Sequence, residues 1–231
     1  MQHKKRSLKL KIGYKGEYFA GWQMQKQDTK LPTVQGTLTD LLEDMLRKRN
    51  PNVEKWRNKV FDKRLDVTCA GRTDAGVSAI GQVCRVRTFY TPEEVSCQAI
   101  QDCINSYGRL HDDSLHCVSV EEVDTSFHPT FCADARSYVY IIDLCNTNND
   151  EDSKWVLKAC HVELIDHMFR ALEGRELNYF ALSYGKVKTE TTLCTLHRAR
   201  ASLIEYMEND DNDHGSQQAI CVELTGNRFL R

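Results

Sequence analysis

The residues best able to do chemistry stand in the run Cys69-Ala70-Gly71-Arg72-Thr73-Asp74-Ala75-Gly76-Val77-Ser78-Ala79-Ile80-Gly81-Gln82-Val83. A strand enters a turn with glycines on both sides, and a single carboxylate stands at its tip. With Arg72 to Asp74 extended, the period of two puts both side chains on one face, near enough for the guanidinium to hold the carboxylate ionised. An anionic Asp beside a fixed cation can serve as nucleophile or base. The same spacing also describes an ordinary turn aspartate with a local ion pair, so on spacing alone it does not establish catalysis.

A second constellation is Phe127-His128-Pro129 followed by Ala133-Asp134-Ala135-Arg136-Ser137-Tyr138-Val139-Tyr140-Ile141-Ile142. Alternation sets Arg136, Tyr138 and Tyr140 on one side of a strand and Ser137, Val139 and Ile141 on the other. The first side could stack an unpaired base and meet a phosphate. Tyrosine is also simply a favoured strand residue. No H-E-x-x-H, G-x-S-x-G or Walker loop occurs, which removes the usual support for hydrolase, kinase and dinucleotide chemistry. The ten cysteines are scattered with no C-x-x-C pair, a pattern that favours free structural thiols over disulfides or a zinc site.

These residues must be positioned by the elements around them. Ser7 to Tyr14 alternates at period two, a half-buried strand with Leu8, Leu10 and Ile12 inward. Tyr14 to Gln25 reads as a mobile segment, with too many glycines for a packed helix and too many aromatics for a mere linker. Apolar residues at 34, 38, 41, 42, 45 and 46 predict a helix with Thr33 as its N-cap. A polar stretch leads to about Arg64, followed by a strand near Leu65 to Cys69 and another through Gln82 to Arg87. Thr91-Pro92-Glu93-Glu94 predicts a second helix start. Leu115 to Val123 and Ala135 to Leu144 predict strands. Leu164 to Leu172 predicts a helix, Leu196 to Ile204 and Ala219 to Leu224 predict strands, and residues 208–215 read as an acidic loop. About four helices with unevenly spaced strands fit an α+β protein, mainly antiparallel with helices on one face. The chain divides near Asp124 to Thr130, giving an N-terminal subdomain over residues 1–124, which carries the glycine-bordered turn, and a C-terminal subdomain over residues 125–231. No sequence repeat relates the two.

The 231 residues suffice for one large domain or two packed halves. With 41% hydrophobic and 28% charged residues and only 12 Gly and 4 Pro, disordered, collagen-like and small disulfide-stapled classes are excluded for the chain as a whole. No apolar run approaches a membrane span, and the basic start is followed by no apolar signal region, so an intracellular, reducing setting is expected. The net charge of −2 hides an asymmetry: residues 1–100 hold 19 Lys and Arg against 11 Asp and Glu, and the remainder hold 12 against 22. A polyanionic partner is compatible with that, because counterion release follows the cations at the contact. A solvated basic face with no ligand is equally compatible.

Taken together, the strings AGRTDAGVSAIGQV, GYKGEYFAGWQMQ, VQGTL and SFHPTFCADARSYVYII resemble a tRNA pseudouridine synthase of the TruA family. NYFAL, TTLCTLHRARA and VELTGNRFLR follow in the same order, so the resemblance covers nearly the whole chain. It implies the pseudouridine synthase α+β fold, with two subdomains sharing an antiparallel sheet and an RNA cleft across it. It implies isomerisation of uridine to pseudouridine in tRNA, in the anticodon arm, without metal or organic cofactor. Asp74 takes the role of catalytic carboxylate. Arg72 is implied to help extrude the target nucleotide and fill its place, and Tyr138 to pack on the uracil and assist proton handling. A homodimer is also implied. The chemistry fits: the glycosidic bond must break, the captive base must turn, and C5 must rejoin C1′, so the base has to leave its stack and be enclosed.

Two departures from the family pattern are visible. Ser78 stands where many relatives carry His, next to the turn and not at its tip, and is expected to leave the chemistry intact. The sequence ends at Gly226-Asn227-Arg228-Phe229-Leu230-Arg231, where the motif in relatives runs on through a helix bearing a basic partner of the aspartate. Arg72 or Arg231 is the available substitute. A truncated C-terminus is therefore expected, with a weakened dimer. The alternatives at this point are a catalytically impaired RNA-binding protein of the same fold, and an assembly protein whose basic half meets an acidic partner.

Overall fold

The computed structural model describes residues 6–25, 30–49, 65–144, 157–183, 191–207 and 216–229. The polar stretch ending near Arg64, the acidic loop at 208–215 and Arg231 lie outside the described residues. The chain forms two compact units, Met1–Ala133 and Asp134–Arg231.

The first unit is a four-stranded antiparallel sheet in the order β2-β3-β1-β4, built from β1 (Arg6–Tyr14), β2 (Asp66–Cys69), β3 (Ala79–Thr88) and β4 (Leu115–Val123). Leu8, Leu10 and Ile12 all point to the same face of β1 and are fully buried there. They pack with Cys84 and Val86 of β3, with Val34, Leu38 and Leu42 of α1 (Val34–Arg49), and with Ile100 and Ile104 of α2 (Cys97–Leu110). Each such aliphatic contributes about 1.5–3 kcal/mol. A rim ion pair such as Lys9 to Glu121, at 2.9 Å with both partners partly in water, contributes ~0–1 kcal/mol, so the apolar row sets the sheet.

The caps show how the helices begin. Thr33 Oγ1 accepts the Gly36 N–H at 3.1 Å, as its N-cap reading requires. Thr91 behaves differently. It exchanges bonds with Glu94 in a reciprocal box, where Thr91 N–H donates to Glu94 Oε2 at 2.8 Å and Glu94 N–H to Thr91 Oγ1 at 3.4 Å. The turn then stops, and α2 starts afresh at Cys97 with Ser96 accepting from Ala99 N–H. The cause is the Val95 carbonyl, which takes the guanidinium of the buried Arg6 at 2.9 Å. That carbonyl serves the start of β1 while Ser96 adopts an extended backbone.

The second unit is also antiparallel in its main ladders, in the order β5-β8-β7-β6, from β5 (Arg136–Asp143), β6 (Glu176–Asn178), β7 (Leu193–Met207) and β8 (Ser216–Gly226). Its small core joins Ala201, Ile220 and Val222 to Val162 on α3 (Val162–Arg170). The three-residue β6 carries no periodic signal and has no counterpart among the strands expected from sequence. Among the described residues there are three α-helices, where about four are expected from sequence.

Two acids of the α3 region cap backbone donors of β7. Asp166 Oδ1 accepts Ala201 N–H at 3.0 Å, and Glu173 Oε2 accepts Ala199 N–H at 3.0 Å while pairing with Arg200. The Ala201 amide first, and then Arg170, holds the Asp166 carboxyl below its usual range. A folded-state pKa below the unfolded one stabilises above the unfolded value and is lost as pH falls through the folded value. Asp166→Asn is therefore expected to lower the melting temperature at pH 7. Its deficit should vanish in acid below that lowered pKa, as read by thermal melts across pH.

Candidate active site

The turn between β2 and β3 carries Arg72 and Asp74, both exposed. Residues 72–74 lie outside either strand. The loop they occupy has its backbone held from several sides. At its base Ala70 N–H donates to Val83 O at 2.8 Å. The Gln82 carboxamide closes on Gly71 in both directions, Nε2 donating to the carbonyl at 2.5 Å and Oε1 accepting the N–H at 3.4 Å. On the far side Val77 N–H donates to Asp74 O at 3.3 Å, and Gly76 adopts φ +80°.

The segment after β1 straps this loop. Phe19 and Trp22 are buried, and Tyr14 packs edge-on to Phe19 at 6.0 Å and tilted to Trp22 at 6.3 Å. The stretch expected to be mobile is thus a packed, aromatic-anchored strap. From it Trp22 N–H donates to Thr73 O at 2.9 Å, and Phe19 O accepts Gly76 N–H at 3.4 Å. Gly16 N–H donates to Ser78 Oγ at 2.9 Å, giving the residue that departs from the family pattern a bond in the strap. Two glycines permit the contact. A Cβ on Gly16 would lie 2.2 Å from Gly76 O, and Gly21, at φ +90°, comes so close that a Cβ would lie 2.9 Å from Thr73 O. The strap also seats α1, whose Val34 and Gln35 amides donate to the Gly21 and Trp22 carbonyls.

Tyr14, Thr73 and Gln82 are the residues that sequence reasoning missed. A signal existed: Tyr14 continues the 8, 10, 12 parity of the core face, so its hydroxyl is driven inward and needs a partner. That partner is Thr73, with the two oxygens 2.8 Å apart. Burial pushes the Tyr14 phenol up, only partly opposed by its bonds to Thr73 and Gln82, so it stays neutral.

Tyr138 lies in the second unit on β5, opposite Leu224 of β8, partly buried with its ring edge-on to Phe229 at 4.7 Å. Within the first unit, residues beyond β4 reach the sheet through Thr130, whose Oγ1 donates to Cys69 O at 2.8 Å, and through Phe127 O, which accepts from the buried Arg85 at 2.8 Å. The nine described cysteines are free thiols. Burial pushes Cys117 up to about 11 and Cys84 higher still, so these two behave as inert core residues. Among the described residues no group of three or more His, Cys, Asp or Glu could hold a metal ion, and no helix is long and apolar enough to cross a membrane.

Antiparallel sheets with flanking helices make an α+β protein, an architecture consistent with the pseudouridine synthase fold class. No protein-family model matches the chain. Among curated proteins, the tRNA pseudouridine synthase A of Francisella tularensis subsp. novicida (strain U112) is 34% identical over 224 residues, covering 96% of this chain and 72% of that protein. That of Mycoplasmoides gallisepticum is 27% identical over 228 residues, covering 98% and 72%. That of Buchnera aphidicola subsp. Acyrthosiphon pisum (strain APS) is 30% identical over 176 residues, covering 76% and 54%. The chain belongs to the TruA family of tRNA pseudouridine synthases.

Proposed function

We propose that this protein isomerises uridine to pseudouridine in tRNA, within the anticodon arm, with Asp74 as the carboxylate that acts on the ribose. The observation that carries the reading is the exposed Asp74 on a backbone fixed by Gly71, Thr73 and Gly76, in a chain of this family. Fixing the loop before substrate arrives lowers the reorganisation needed at the moment of reaction.

In the reaction the C1′–N1 bond breaks, the freed uracil turns, and C5 bonds to C1′. The C5 proton leaves and N1 gains one, so the product is an isomer and no electrons are exchanged. A deprotonated Asp74 captures or stabilises the positive charge at C1′, or removes the C2′ proton to form a glycal. Arg72, exposed two residues before it, fills the place of the extruded nucleotide and meets phosphate. Tyr138 packs on the uracil and assists its proton handling. The protein acts as a homodimer.

The direct assay is tritium release from tRNA carrying tritium at uridine C5. Release that is stoichiometric with pseudouridine supports the reading. Tight tRNA binding with no release overturns it in favour of a non-catalytic RNA-binding protein.

A further inference from the structure

We propose that Tyr14 is a positioning residue for this reaction, its phenol setting the backbone of Thr73 and so the direction in which Asp74 is presented. The inference rests on the reading of Asp74 given above. Tyr14 touches neither the substrate nor the carboxylate in this scheme; it acts through its neighbour.

Three observations carry it. The ring is immobilised, 3% exposed and packed against Phe19 and Trp22, so the hydroxyl has a defined location. That hydroxyl lies 2.8 Å from Thr73 Oγ1, immediately before Asp74 in the chain. On the other side of Arg72, the Gln82 carboxamide closes on Gly71 in both directions. Both neighbours of Arg72 are thus held, Gly71 by Gln82 and Thr73, which also precedes Asp74, by Tyr14. The Trp22 amide adds a bond to the Thr73 carbonyl from the strap.

A core-filling role would be served equally well by phenylalanine, which has the same ring and needs no partner. The hydroxyl must be desolvated to sit on the core face, and that cost is offset by the bond made to Thr73 of the turn.

The test measures kcat, KM for tRNA and melting temperature by tritium release and thermal melts. Wild type is compared with Tyr14→Phe, Thr73→Val, Thr73→Ser, the Tyr14→Phe/Thr73→Val double variant and Asp74→Asn. Tyr14→Phe is expected to lower kcat about 5- to 30-fold, with KM changed less than about twofold, because only the presentation of the carboxylate is disturbed. Thr73→Val should match it, the double variant should be no worse than the poorer single, and Thr73→Ser should recover turnover relative to Thr73→Val. Wild-type kcat in Tyr14→Phe, or losses that multiply in the double variant, overturns the inference. Should Tyr14→Phe melt too low to assay, the Thr73 pair decides: equal turnover in Thr73→Val and wild type rejects it. Full turnover in Asp74→Asn instead overturns the assignment of Asp74 itself, a result separate from any effect at Tyr14.

Discussion

Turnover by the Asp74→Asn variant is expected to fall by roughly 10⁴-fold or more, the scale seen when a group that meets the reacting atoms is removed. That corresponds to about 5.5 kcal/mol of transition-state stabilisation. Asn keeps the shape of Asp and removes its charge, which is the property that either proposed route requires. The side chain is exposed, and exposed substitutions usually change stability by less than about 0.5 kcal/mol. Melting temperature and tRNA affinity should therefore stay close to wild type. A calorimetric melt, a filter-binding isotherm and tritium release on the same preparation separate the three quantities. Wild-type turnover with Asn at this position would remove Asp74 from the chemistry.

Gly16→Ala is expected to damage turnover strongly although it lies outside the turn itself. Its Cβ would meet three backbone atoms, Gly76 O at 2.2 Å, Gly76 C at 2.3 Å and Val77 C at 2.4 Å. Backbone cannot rotate aside as a side chain could, so strap and turn must separate. Overpacking of this kind costs about 1–3 kcal/mol of stability. A displacement of about 1 Å at a reacting group costs on the order of 10²-fold in rate. Turnover assayed well below the melting temperature should thus drop about 100-fold while the protein remains folded by circular dichroism. Unchanged kcat would mean that the strap does not set the position of Asp74.

Much of the framework can be read from local pattern because it is decided locally. Leu8, Leu10 and Ile12 alternate and all three are buried; Thr33 caps α1 with its own hydroxyl. Misreadings arise where a distant partner outweighs local preference. Thr91-Pro92-Glu93-Glu94 has the composition of a helix start and does form a capped turn, yet Arg6, far away in the chain, takes the Val95 carbonyl and the helix begins after Ser96. The glycines of 14–25 suggest mobility because their reason, close approach to the Asp74 loop, is a tertiary contact. For the same reason the turn could be found from its string while its supports could not. Arg72 and Asp74 lie two residues apart, and the bonds that fix their loop come from Tyr14, Phe19, Trp22 and Gln82.

The strap has a bearing on how such an enzyme can change over time. Because Gly16 and Gly21 leave no room for a Cβ against the Asp74 loop, and Tyr14 meets Thr73 through its hydroxyl, the residue types of strap and loop are tied to each other. Selection for catalysis thus reaches a stretch of glycines and aromatics that never contacts nucleic acid in the proposed scheme. An engineer seeking altered RNA preference would do better to vary other surfaces and leave both partners of this joint untouched.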